Sequence, residues 1–125
     1  MKAVIVTHDL QIGFTELEEP LYKSAGAFVG GGIEIVRPRG LARPYVMIVN
    51  EDFLQMGLPR NEIDCFLYET HRHGNPICGN ILLMKEEGPE LVSLQDTEVL
   101  QIMAAMQQVK DLLVSDVWHR GRAAL

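Results

Sequence analysis

No stretch of this sequence reaches the roughly 18 consecutive apolar residues that a bilayer-crossing helix needs, so no membrane span is expected. The N-terminus has one basic residue, Lys2, before a short apolar run. It lacks the longer apolar stretch and small-residue cleavage site of a secretory signal. The expected location is therefore the cytoplasm. Cysteine is scarce: Cys65 and Cys78 are the only two. In a reducing compartment they are expected as free thiols in or near the core. Basic surplus is also missing. Eleven Lys and Arg face 17 Asp and Glu, for a net charge of −6, which speaks against nucleic acid as a partner. The densest basic segment, Arg37 and Arg39 with Arg43, reads as a solvated loop. Acidic residues are spread along the chain rather than massed together, so mimicry of DNA is not expected either.

Catalytic and nucleotide motifs are equally thin. The chain contains no G-x-G-x-x-G, no G-x-x-x-x-G-K-[ST] and no G-x-S-x-G. There is no internal repeat, low-complexity tract or linker. What is present is an ordinary globular composition, 47% hydrophobic and 22% charged over 125 residues. A chain of that length buries roughly two-thirds of its unfolded surface and can build a core without covalent staples.

Apolar patterning divides the chain into elements. Residues 2–7 are nearly continuous apolar sequence, fit for a central strand. Ile12 and Phe14 alternate with small or polar neighbours, which predicts a hairpin partner. Glu18, Glu19 and Pro20 mark a helix start, because proline is tolerated where an N–H has no partner. Leu21, Ala25 and Phe28 then share one helical face. Gly30, Gly31 and Gly32 stop that helix, with at least one expected in the left-handed conformation. Strands are predicted at 33–37 and 44–49, followed by an irregular stretch to Asn61. Residues 63–68 fit a strand or a short helix, and 71–75 a turn-rich loop. Residues 77–84 fit a strand interrupted by Gly79, and 91–94 a short strand. Val99, Met103, Met106, Val109 and Leu113 repeat at helical spacing, with Leu100, Ile102 and Leu112 widening the stripe. They predict a helix over 96–115, opened by a capping box at Ser93 to Asp96 or by Asp96 itself. Beyond 115 the periodicity ends, Trp118 included, and 116–125 is expected to fray.

The order and spacing of several short motifs carry a resemblance. They are Val29-Gly30-Gly31 before Ile33-Glu34-Ile35-Val36, then Ile48-Val49-Asn50-Glu51, Gly57-Leu58-Pro59 with Asn61, Ile77-Cys78-Gly79-Asn80-Ile81-Leu82, and Ser93-Leu94-Gln95-Asp96. Over roughly 2–110 the chain resembles the small bacterial and phage domain-of-unknown-function family catalogued as DUF3846. The resemblance implies a compact α+β domain and an origin in phages or mobile elements. It implies no activity, and the loop from Glu69 to Gly74 departs from the family pattern.

Four constellations are candidates for function. The glycine turn Gly30, Gly31 and Gly32 could cradle a ligand with Glu34, Asn50, Glu51 and Asn61, since successive backbone N–H groups can hold an anion. A helix cap is the plainer reading, because the turn follows a helix and precedes a strand. Cys65, His71, His73 and Cys78 offer zinc-compatible donors, but C-x5-H-x-H-x4-C lacks a close cysteine pair, so no metal is expected. Glu34 with Glu51 could form a carboxylate pair, or simply a solvated strand end. Met103 and Met106 could serve an adaptable binding face or plain core.

These readings converge on one α+β domain over 1–115. Its mainly antiparallel sheet of four to six strands carries one short helix and a longer C-terminal helix, with one face covered and the other partly wet. No catalytic residue, cofactor or metal is assigned. The leading functional expectation is a non-enzymatic accessory or protein-interaction domain with an unknown protein partner, a homodimer being one option. The alternatives are a small-ligand binder at the glycine turn and the 50–61 loop, and a metal protein or enzyme at 65–78.

Overall fold

The computed structural model describes the backbone of residues 1–123, with side chains up to 115 apart from His71 and His73. The elements run β1 (Lys2–Val6), β2 (Ile12–Glu16), α1 (Leu21–Val29), β3 (Ile33–Val36), β4 (Tyr45–Asn50), α2 (Glu62–Leu67), α3 (Thr70–His73), β5 (Ile81–Glu87), β6 (Glu90–Val92) and α4 (Asp96–Ala123). All strand pairings are antiparallel. The order is β2-β1-β5-β4-β3, with β6 paired to β5. This is the predicted α+β architecture, at the upper end of the expected strand number.

Strand alternation sorts the side chains onto two faces. Val4, Val6, Met47, Val49, Ile81 and Leu83 meet α2 and α4 on one face through Ile63, Leu67, Ile102 and Met106. Ala3, Ile48, Leu82 and Met84 meet α1 on the other through Ala25 and Val29. The register Ile48↔Leu82 and Met47↔Leu83 keeps like faces together. The central strands are therefore covered on both sides, and the expected wet face is not found there. Their near-continuous apolar sequence follows from this, since both side-chain sets need burial.

Local chemistry explains the helix ends. Gly30 has φ +90°, and its N–H, like that of Gly31, donates to the Gly26 carbonyl, at 2.8 and 2.9 Å. This left-handed cap, unstrained only for glycine, is the one the triplet predicts. The segment left open at 63–68 is helical, because Asn61 stands at its N-cap and its side chain accepts from the Asp64 N–H. At α4 the capping pair is not Ser93 with Asp96. Glu98 Oε1 accepts from the Gln95 N–H at 2.9 Å, while Asp96 pairs with Lys2 and Ser93 Oγ accepts from the Lys2 N–H at 2.8 Å.

Three further boundaries differ from expectation. Gly79, at φ +83°, breaks the predicted 77–84 strand, so Cys78 makes only an isolated bridge to Arg60 and β5 starts at Ile81. Thr70–His73 forms a single helical turn within the expected loop. The backbone of α4 stays helical past 115 to Ala123. The side chains there, Trp118 among them, lie outside the described residues.

The buried stripe of α4 is Val99, Ile102, Met106 and Val109. Met103 and Leu113 pack beside it. Leu100 and Leu112, expected to widen the stripe, are 69% and 62% exposed. One residue is about 100° around a helix, and both lie too far from the stripe's centre line to reach the sheet.

Candidate functional site

The corner between α1 and β4 brings together five of the sequence-predicted ligand residues. Asn50, buried at the end of β4, donates through Nδ2 to the Val29 carbonyl at 3.2 Å and lies 3.3 Å from Met56 Sδ. Its Oδ1 accepts from the Asp52 N–H at 2.8 Å. The Glu51 N–H donates to the Gly32 carbonyl at 2.9 Å, and the Glu51 carboxylate lies against Gly32. Gly30, Gly31, Gly32, Asn50 and Glu51 are thus neighbours. Asn50 uses its amide within the protein, completing a carbonyl that the end of α1 leaves open. Glu34 is elsewhere: Ile33 pairs with Asn50 and Glu34 with Val49, so Glu34 points to the face opposite Asn50 and is exposed.

Asn61 belongs to a second corner. It is fully buried. Its backbone N–H donates to the Ile77 carbonyl at 2.8 Å, and Nδ2 donates to the Val6 and Gly79 carbonyls at 3.1 and 2.9 Å. Cys65 Sγ sits 3.3 Å from both the Ile77 N–H and its carbonyl oxygen. Both thiols are buried and free, and burial pushes the Cys78 thiol up. The imidazoles of His71 and His73 lie outside the described residues. Among the described residues, no three His, Cys, Asp or Glu side chains are grouped to hold a metal. Next to Cys65, Asp64 is 0% exposed, and among the described residues neither carboxylate oxygen has a hydrogen-bond partner. Burial alone pushes its carboxyl well above the ordinary range, which favours the neutral acid.

A third feature was not legible beforehand. Between the β3–β4 loop, α2 and α4 runs a groove of about 400 Å³. Gly40, Leu41 and Ala42 form one wall and Phe66 and Leu67 the next, joined by Tyr45. Gln101, Ala105, Gln108 and Leu112 supply the α4 wall above buried Ile102, Met106 and Val109. The loop wall is fastened to α2 at Gly40, whose N–H donates to the Leu67 carbonyl at 3.0 Å. A Cβ there would stand 2.7 Å from that oxygen, so only glycine permits the approach. On the rim, Phe66 is 47% and Leu112 62% exposed.

Tyr45 is held by a polar cluster. Its hydroxyl donates to Glu98 Oε2 at 3.0 Å, and Lys85 Nζ donates to Glu98 Oε1 at 2.7 Å. The Lys85 hydrogen bond holds the Glu98 carboxyl below its usual range, while burial pushes the Tyr45 phenol up. Among the described residues, Tyr45 is the only titratable side chain lining the groove. The lining is suited to binding apolar groups, and it places no nucleophile beside a base. The signal that could have exposed it was phase: with Val99, Ile102, Met106 and Val109 inward, Leu112 must flank the stripe.

Residues 1–109 match the family described as Domain of unknown function (DUF3846). No curated protein and no solved structure matches the chain.

Proposed function

Since the chain belongs to the family described as Domain of unknown function (DUF3846), whose description assigns no activity, we propose that it is a non-enzymatic protein-interaction domain, with the groove between the β3–β4 loop, α2 and α4 as its contact surface. The reading places residues 1–115 in one domain acting in the cytoplasm as an accessory of phage or mobile-element origin. The domain and its location rest on composition and patterning, and the origin on the motif resemblance.

The observation that carries the proposal is the groove's make-up. A concave apolar lining with Phe66 and Leu112 exposed on its rim is what a partner's anchor side chains fill. Scattered apolar side chains are normal on a surface. Large ones gathered at the edge of an apolar depression mark a contact site. The uncharged lining also suits a protein contact, since the centres of interfaces are depleted in charge.

The experiment is affinity capture from a lysate of the source cells, with the wild-type chain, Phe66→Asp and Leu112→Asp as parallel baits. Both substitutions are at exposed positions, so wild-type circular dichroism is expected. At least one protein captured by wild type should be lost from both variants and kept by Glu51→Gln, which lies at the unrelated glycine corner. Identical recoveries on all four baits would remove the groove from the interaction.

A further inference from the structure

We propose that the free edge of β2 pairs with β2 of a second copy of this chain, an inference independent of the groove. β2 and β3 stand at the two ends of the strand order. At β2, the Thr7 N–H donates to the Gln11 carbonyl at 2.9 Å and the Leu17 N–H to the Met1 carbonyl at 2.6 Å. Those bonds set the phase of the β1–β2 ladder, in which hydrogen-bonded and non-hydrogen-bonded pairs alternate. Gly13 and Thr15 turn their backbone groups to Ile5 and Ala3. The N–H and C=O groups of Ile12, Phe14 and Glu16 therefore point out of the sheet, and among the described residues they have no partner. Such a row of open donors and acceptors is a template for another strand. Little blunts it: β2 contains no proline and no lysine, and its one charge, Glu16, is at its end.

The pattern is complementary to itself. In antiparallel pairing about a two-fold axis at Phe14, Phe14 faces Phe14 of the second copy and Ile12 faces its Glu16. All outward backbone groups of these residues are then matched, and no like charges stand opposite one another. The side chains fit the same axis. Phe14 lies opposite Val4, on the face where Val4 and Ile12 join the core beneath α4, yet Phe14 is 62% exposed. Across the axis two Phe14 rings cover each other and carry that apolar face from one sheet into the next. The β3 edge is the contrast. There the Glu51 N–H bond to the Gly32 carbonyl turns the backbone groups of Ile33 and Ile35 outward. Full antiparallel overlap sets exposed Glu34 against Glu34 of the second copy, in a non-hydrogen-bonded pair, where side chains come closest. Like charges placed so are destabilising, so the β3 edge is defended against its own copy and the β2 edge is not.

The test is sedimentation velocity over a concentration series of the full chain, with Phe14→Lys, Phe14→Glu and an equal mixture of the two. Wild type is expected to dimerise with rising concentration. Each variant alone should associate at least about tenfold more weakly, having lost the ring pair and gained a like-charge pair. The mixture should recover the dimer, because lysine then faces glutamate. Phe66→Asp, in the groove, should dimerise as wild type does. If a charged variant fails to fold, Phe14→Cys replaces it. Cα atoms of a hydrogen-bonded pair are about 5.5 Å apart, within disulfide reach, so oxidised glutathione should link two copies through Cys at 14, while Leu54→Cys, exposed in the loop after β4, should not link. Wild type monomeric at every concentration overturns the proposal. So does a dimer kept by both charged variants, or one lost in both and not recovered on mixing. No cross-link at position 14, or equal cross-linking at 54, overturns it as well. A dimer that Phe66→Asp abolishes and the Phe14 variants keep would place the second copy in the groove instead.

Discussion

The side-chain amide of Asn61 donates to the Val6 carbonyl at 3.1 Å, fastening the start of α2 to the end of β1. The same amide reaches the Gly79 carbonyl at 2.9 Å, and Asn61 Oδ1 caps α2 through the Asp64 N–H. One buried residue thus ties together the end of β1, the Gly79 bend ahead of β5 and the start of α2, and it holds the α2 wall of the groove in place.

Asn61→Ala should therefore be costly. It strands two buried carbonyls, each worth about 1–3 kcal/mol when left unpaired, and removes a cap worth roughly 1 kcal/mol. Urea unfolding should show a large drop in midpoint. A loss below about 1 kcal/mol would mean that water replaces the amide, and the corner would then not be the clamp described.

Asp64 should make stability depend on pH. Burial raises its folded-state pKa, so above the unfolded carboxyl value of about 3.9 the native state holds this proton more tightly than the unfolded chain does. The contribution of Asp64 is then most favourable at low pH, and it erodes as pH rises towards the raised folded value. Asp64→Asn keeps the shape and removes the titration. Its melting temperature is expected above wild type at pH 7, with the gap closing towards pH 4. A gap that is constant with pH, or a variant that is the less stable one at pH 7, counts against a buried unpartnered acid.

Gly30 should tolerate no side chain without loss. At φ +90° an alanine meets the left-handed penalty, and Gly30→Ala is expected to destabilise by about 1 kcal/mol or somewhat more. The measurement is a shift in denaturation midpoint at unchanged slope. An unshifted midpoint would show that the cap relaxes freely.

Much of the fold could be read from local pattern. The alternation at Ile33 and Ile35, the apolar run into Val49, the stop at Gly30 and the stripe through Val99, Met106 and Val109 each reflect backbone geometry acting over a few residues. The glycine corner was legible in part. Gly30, Gly31, Gly32, Asn50 and Glu51 do meet, but register sends Glu34 to the other face. A single-residue alternation decides that, and pattern alone does not reveal which residue of one strand opposes which of the next.

By itself, then, the sequence determined the α+β class, the left-handed stop after α1 and the inward face of α4, because sterics and helical or strand periodicity are short-range. Only the tertiary structure decided that α1 covers the second face of the sheet and that Asp64 is sealed with no partner among the described residues. It also decided that Gly40 touches Leu67 closely enough to build a groove wall. These depend on segments far apart in the chain, placed side by side by the insertion of β5 between β1 and β4. Burial and contact are properties of that packing, and no window of neighbouring residues encodes them.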